Sequence, residues 1–197
     1  MPHLDVWIYA VHATFWAAFG ITRRIVGAGG APSAAGPTTT APVVARFSRA
    51  VFMVHFIAFG VMYAGIGSAV FSRAAIPSLP WQRAGGALII AAGSAVMCWS
   101  LVYFRSWRFR AKLDEGHELA TGGPYAIVRH PIYVGMNLLA LGTAVWLPTI
   151  LTWSAVILMV LGSDLRGRAE ESVLRAAFGD QYREYCSRTK RFLPGVY

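Results

Sequence analysis

The chain reads as an all-α, polytopic membrane protein with five transmembrane helices, the last two forming a helical hairpin. Three observations predict this. Hydrophobic residues make up 56% of the 197 positions and charged residues 14%. Apolar segments alternate with short polar stretches, and the basic residues gather at the ends of those segments rather than spreading along the chain. This composition belongs to integral membrane proteins. It leaves too little polar sequence for a separate soluble domain, which needs at least roughly 50 residues, so residues 1–197 are read as one membrane domain.

The first apolar segment, Leu4 to Gly20, has no Lys or Arg before it and is followed by Arg23 and Arg24. That is the reverse of a signal peptide's basic start, so the segment reads as a retained span. The stretch GAGGAPSAAGPTTTAP follows; it carries no charge and predicts a flexible linker over residues 27–46. Its glycines follow no strand pattern, which argues against a dinucleotide-binding loop. Val51 to Phe71 and Ala84 to Phe104 are each long enough for a hydrocarbon core of ~30 Å. Ile132 to Leu147 and Thr149 to Gly162 are shorter, with Pro148 between them, and the pair is either one interrupted span or a tight hairpin.

Charge placement chooses between these, because positive residues concentrate on the cytoplasmic side of short loops. With five spans and the N-terminus outside, 16 of the 18 Lys and Arg residues fall inside, and only Arg73 and Arg83 lie outside. Merging the last two segments would send the basic tail to the opposite face, so the hairpin follows. The loop over residues 105–131 and the C-terminal tail then share the cytoplasmic face, in a prokaryote that of the plasma membrane. Residues 1–111 hold three spans and the linker, and residues 112–197 hold the loop, the hairpin and the tail.

The net charge of +9 sits at membrane boundaries, which points to anionic lipid as a partner rather than nucleic acid. Cys98 and Cys186 are too few and too far apart for a disulfide framework or a metal site. His12 and His55 lie singly in apolar spans and predict hydrogen bonds between helices, as does Asn137; no metal is expected.

Past the fifth span, SDLRGRAEESVLRAAFGDQYREYCSRTKRFLP places Leu165, Ala169, Val173, Ala177 and Phe178 at roughly helical spacing, an interfacial amphipathic helix. Gly179 is a natural stop, and Asp180 starts a second short helix through Tyr185. Arg166 and Glu170, four residues apart, share a face. They form a structural ion pair or they each face a ligand; spacing alone leaves both open.

The densest polar stretch is GHELATGGPYAIVRHPIY, residues 116–133. Gly116, Gly122 and Gly123 permit positive φ, Pro124 fixes the next step, and Pro131 keeps His130 from continuing a helix. Tyr125, Arg129, His130 and Tyr133 then bring aromatic, cationic and imidazole groups to the mouth of the fourth span. G-H-x-L, G-x-Y and R-H-P-x-Y entering an apolar helix, followed by a hairpin and an R/E-rich helix ending in F-G-x-x-Y-x-x-Y, resembles the isoprenylcysteine carboxyl methyltransferase family and related membrane methyltransferases. The likeness covers about 80 residues, from near Lys112 to Pro194.

This resemblance implies an S-adenosylmethionine site built from loop and tail. His117, Glu118, Leu119, Ala120 and Tyr125 would line the cofactor together with His130, Pro131, Ile132, Tyr133 and Glu170. The family's substrate-side arginine aligns with Arg166, and Arg168 is the second choice. Ala120 stands where the family often has an aliphatic residue, and its longer glutamate run is here Glu170 and Glu171 alone. The acceptor implied is a lipophilic small molecule or prenylated substrate, and the reaction a methyl transfer. A carboxylate acceptor is ionised at neutral pH and needs no base; an amine or thiol would need His130 or Glu170 as one. The competing readings are a sterol-type membrane reductase using NADPH and a non-enzymatic scaffold or transporter.

Overall fold

A computed structural model of the chain describes residues 5–28, 42–72, 77–104 and 119–197. Five α-helices run in order: α1 (Trp7–Ala28), α2 (Pro42–Phe71), α3 (Pro80–Phe104), α4 (Pro131–Trp146) and α5 (Ile150–Arg188), with a short 3-10 turn at Gly123–Ala126 before α4. Among the described residues the remaining pairing is one parallel bridge, Val128 to Lys190. Three of the helices are long and apolar enough to cross a membrane: Met53–Phe71 within α2, α3, and α5, whose apolar part is its first half.

The helix starts follow from proline. Pro42, Pro80 and Pro131 each open a helix, where the missing N–H costs nothing and the fixed φ is already helical. The expected linker is therefore shorter than residues 27–46, because 42–46 already belong to α2; residues 29–41, like Arg73, lie outside the described residues. α5 begins differently, with Thr149 and Thr152 exchanging backbone N–H to side-chain hydroxyl bonds at 3.1 and 3.0 Å.

Two glycine seams set the packing. A Cβ at Gly86 would stand 2.6 Å from the Gly142 carbonyl oxygen, and one at Gly135 would stand 2.7 Å from that of Gly93. The register of 86 on 142 and 93 on 135 makes α3 and α4 antiparallel, with their backbones in direct contact. Lipid tails are as apolar as leucine, so close van der Waals approach rather than the hydrophobic effect holds such a pair. α2 lies antiparallel on α5 by the same device, Gly65 against Leu151 and Thr152 and Gly162 against His55.

Polar ties then cross between the pairs, as the lone histidines predict. Trp16 Nε1 donates to Tyr63 Oη (2.7 Å), which lies 3.2 Å from His12 Nδ1, while His12 Nε2 lies 2.9 Å from Thr143 Oγ1. Each group can donate to the next, joining α1, α2 and α4. Ser163 Oγ donates to Asn137 Oδ1 at 2.9 Å and lies 3.4 Å from His55 Nε2, joining α5, α4 and α2. At the far end buried Asp5 accepts from the Ser78 N–H (3.0 Å), from the Ser78 hydroxyl and from Trp146 Nε1 (3.1 Å).

The tail departs from its expected pattern. α5 runs from the apolar segment through the charged one without a break as far as Gly179, and between Ser163 and Phe178 its buried positions are Ser163, Gly167 and Glu171 rather than the apolar stripe; Leu165 is exposed. Small residues win that face because other chain segments press against it. Gly179 does end the regular helix, at φ 50 and ψ −119.

Substituting Ala at Gly86 or Gly142 places a Cβ below 3 Å from backbone and should cost about 1–3 kcal/mol. Gly20, with nothing within 4 Å of an added Cβ, should tolerate Ala. Thermal unfolding of the detergent-purified variants reads the difference.

Candidate active site

The loop preceding α4 is shaped by its glycines and proline. Gly123 takes φ 56, which suits glycine, and a Cβ at Gly122 or Gly123 would strike the Tyr103 ring of α3. Pro124 then opens the 3-10 turn, which buries Tyr125 with its ring stacked on Phe104 at 5.6 Å. From α5 the Tyr185 hydroxyl donates to the Tyr125 carbonyl at 2.7 Å. Past the turn, the N–H groups of Arg129 and His130 donate to the carbonyls of Lys190 and Arg191, at 2.8 and 3.2 Å. Loop and tail are thus zipped together by backbone, and His130 caps α4 with Pro131 as its first residue.

Two adjacent carboxylates on α5 organise the charges. Glu170 Oε1 accepts from the Tyr133 hydroxyl and from Arg166 Nε (3.2 Å), and its Oε2 lies 3.5 Å from His130 Nδ1. The Arg166 guanidinium also lies over the Tyr133 ring, 5.6 Å from its centre. Glu171, with a side chain 1% exposed, faces inward. Its Oε1 accepts from Arg129 Nε (3.0 Å) and Arg191 Nε (2.9 Å), and its Oε2 from Arg191 Nη2 (2.9 Å) and Arg175 Nη2 (3.3 Å). Arg191 also binds Asp164 at 3.0 Å. Gly167 leaves room for the imidazole, since a Cβ there would meet the His130 ring at 3.3 Å.

Both glutamates lie about 30 Å along α5 from Ile150, the thickness of a hydrocarbon core, and so at or past the membrane boundary. Burial pushes the Glu171 carboxyl up, but His130, Arg191 and Arg129 more than offset it and hold it well below the usual carboxylate range.

Tyr125, His130, Pro131, Ile132 and Tyr133 are buried, and Leu119, Ala120, Arg166 and Glu170 are partly so. Tyr133, His130, Arg166 and Glu170 meet directly, whereas His117 and Glu118 lie outside the described residues. Arg166 and Glu170 are ion-paired, Nε to Oε1 at 3.2 Å. Arg168 instead binds Asp164 at 2.6 Å with its side chain 59% exposed. Sequence reading missed Glu171 and Arg191. Nothing in the spacing signals either of them. Among the described residues no group of three or more His, Cys, Asp or Glu side chains is arranged to hold a metal.

The family profile described as phospholipid methyltransferase matches residues 81–181, just over half of the chain. The chain belongs to the phospholipid methyltransferase family. The family match spans α3, the loop, α4 and α5 as far as Gln181, and stops short of Arg191. Among curated relatives, protein-S-isoprenylcysteine O-methyltransferase of Schizosaccharomyces pombe is 36% identical over 86 residues, 43% of this chain and 36% of that protein. Protein-S-isoprenylcysteine O-methyltransferase B of Arabidopsis thaliana is 36% identical over 89 residues, 44% of this chain and 45% of that protein. The chain thus aligns with less than half the length of these two relatives. A solved structure of a eukaryotic intramembrane Ras methyltransferase, isoprenylcysteine carboxyl methyltransferase, superposes with a TM-score of 0.64 over 100% of this chain and 68% of that one. At 20% identity this shows a shared fold. Membership of the phospholipid methyltransferase family disfavours the reductase and scaffold readings.

Glu171→Ala would leave the largely buried Arg129 without its carboxylate and Arg191 with Asp164 alone, and should destabilise the protein by on the order of 3–5 kcal/mol. Arg183→Ala, which breaks the exposed pair with Asp180, should change stability by no more than about 0.5 kcal/mol. Because the folded-state pKa of Glu171 is depressed, its contribution is complete above the ordinary glutamate pKa of about 4.3 and is lost as pH falls below it. Unfolding midpoints measured from neutral to acidic pH, in the parent and in Glu171→Gln, test this: the acid dependence should flatten in the variant.

Proposed function

We propose that this protein is a membrane-embedded methyltransferase that takes its methyl group from S-adenosylmethionine and passes it to the carboxylate of a lipophilic, isoprenylcysteine-like acceptor. The observation that carries the reading is the convergence of Tyr133, His130 and Arg166 on the partly exposed carboxylate of Glu170, at the end of an apolar helix bundle. The names of the relatives supply the acceptor class. The antiparallel pairing of α3 with α4 and of α2 with α5 fits five crossings, with the α4–α5 hairpin entering from the cytoplasm and the N-terminus outside.

The residues present suit the donor. A sulfonium cation calls for aromatic and anionic surfaces, and Tyr125, Tyr133 and Glu170 offer both; one ring face contributes about 0.5–2 kcal/mol. When bound, the donor supplies an electrophilic methyl group. Glu170 then binds its cationic end, while the backbone of residues 119–125 and, by family likeness, His117 and Glu118 line it. Arg166 orients the acceptor carboxylate, a two-pronged task suited to guanidinium. Arg166 is preferred to Arg168, whose side chain is exposed and paired with Asp164. The acceptor is already ionised, so alignment and exclusion of water are what the protein has to provide. The helices supply the second, with the lipid chain entering sideways from the bilayer.

Calorimetry with S-adenosylhomocysteine, and NADPH as comparison, tests the donor. Binding of the first and not the second is expected, and its failure in folded protein overturns the proposal. Glu170→Ala and His130→Ala should weaken binding about tenfold or more, roughly 1.4 kcal/mol. Arg166→Ala should lower turnover of an S-farnesylated N-acetylcysteine by a similar factor with a smaller loss of donor affinity. Equal losses of donor affinity in all three would mean a structural network instead.

A further inference from the structure

His130 occupies a slot between two carboxylates. Its Nδ1 lies 3.5 Å from Glu170 Oε2 and its Nε2 lies 3.4 Å from Glu171 Oε1. Tyr133 stacks on the ring at 5.6 Å, Phe192 lies beside it at 5.7 Å, and Gly167 lies against its edge, so the ring is 7% exposed and held on all sides. A neutral imidazole has one N–H and one lone pair. In either tautomer the lone pair would be turned to a carboxylate oxygen, a repulsive contact in a buried place. Two acceptors on opposite edges call for two donors.

We infer that Glu171 is a positioning residue that holds His130 as a doubly protonated imidazolium, with Nδ1–H directed at Glu170, so that His130 acts as a fixed cation and not as a proton acceptor. Its meaning for catalysis rests on the function proposed above; the charge state itself does not. A fixed cation at 130 removes one of the two bases that an amine or thiol acceptor could use, leaving Glu170, and leaves a carboxylate acceptor, which needs none, unaffected.

The charges around the ring agree. α5 presents Glu170 and Glu171, with Arg166 and Arg175 bonded to their outer sides; the loop presents Arg129, the tail Arg191, and α4 the Tyr133 ring. Burial disfavours the charged ring, yet the hydrogen bonds and charges of the two glutamates outweigh it and move the histidine above its ordinary value. Arg129 and Arg191 compete with His130 for Glu171, which gives the two sides of the cluster opposite effects on the ring.

The test uses the full chain in detergent micelles, labelled with ring-15N histidine. Five histidines are present, and His130→Gln assigns the resonance. At about pH 7.5, where a free histidine is neutral, His130 should show two protonated nitrogens. Glu171→Gln should lower its titration midpoint by about one unit or more, Glu171→Asp should restore most of it, and Arg191→Gln should raise it. A purely structural role for Glu171 would leave the midpoint in place. A neutral ring in the parent at that pH overturns the inference, as does a midpoint unmoved by both charge-removing variants; if Glu171→Gln does not fold, the parent and Arg191→Gln decide. A turnover rate that climbs as His130 loses its proton also overturns it. An imidazolium in folded protein that binds no S-adenosylhomocysteine supports the inference while removing the proposed function.

Discussion

Arg129 from the loop, Arg191 from the tail and His130 at the mouth of α4 all meet the buried carboxylate of Glu171 on α5. Taking an ion out of water costs several kcal/mol even after relaxation, and the cost is recovered only when its partners are present with good geometry. A cluster of this kind is therefore close to all-or-none. Around it the other features of this end of the bundle become intelligible: glycine at 167 where the imidazole rests, a tyrosine at 185 pinning the 3-10 turn, and a backbone zipper from 128–130 to 190–191 that brings both arginines to one point.

The bundle beneath is a platform built for that cluster. Glycine seams fix the axial register of α4 against α3 and of α5 against α2, and register is what the site needs, since a slip of one turn, about 5.4 Å, would carry Tyr133 away from Glu170. Hydrogen bonds from Ser163 to Asn137 and between His12 and Thr143 add directional contacts of α4 with α5 and with α1. Affinity between helices and precision at the site thus come from the same small residues.

Much of this was legible beforehand because membrane helices announce themselves by length and polarity, and because Pro131, Gly179 and the glycine-proline turn have narrow conformational meanings. The meeting of Tyr133, His130, Arg166 and Glu170 could be anticipated from motif and helical spacing. Glu171 and Arg191 could not. Periodicity assigns burial to apolar positions, so a helix whose inward face is serine, glycine and glutamate reads with its exposed and buried sides exchanged, as Leu165 shows. Arg191 reaches Glu171 through a turn of tail whose path depends on the bridge to Val128, a contact between distant residues that no local pattern encodes.

That bridge also sets an order of assembly. Arg129 bonds the carbonyl of Thr189, 60 residues further along the chain. At about 5–20 residues per second, a ribosome needs roughly 3–12 seconds to supply that partner. The α3–α4 seam needs the chain only as far as Trp146 and can close within this interval, while the loop waits with its arginine and histidine unsheathed. During synthesis, then, the membrane platform matures first, and the chemistry-bearing corner is sealed only when the tail folds back upon it.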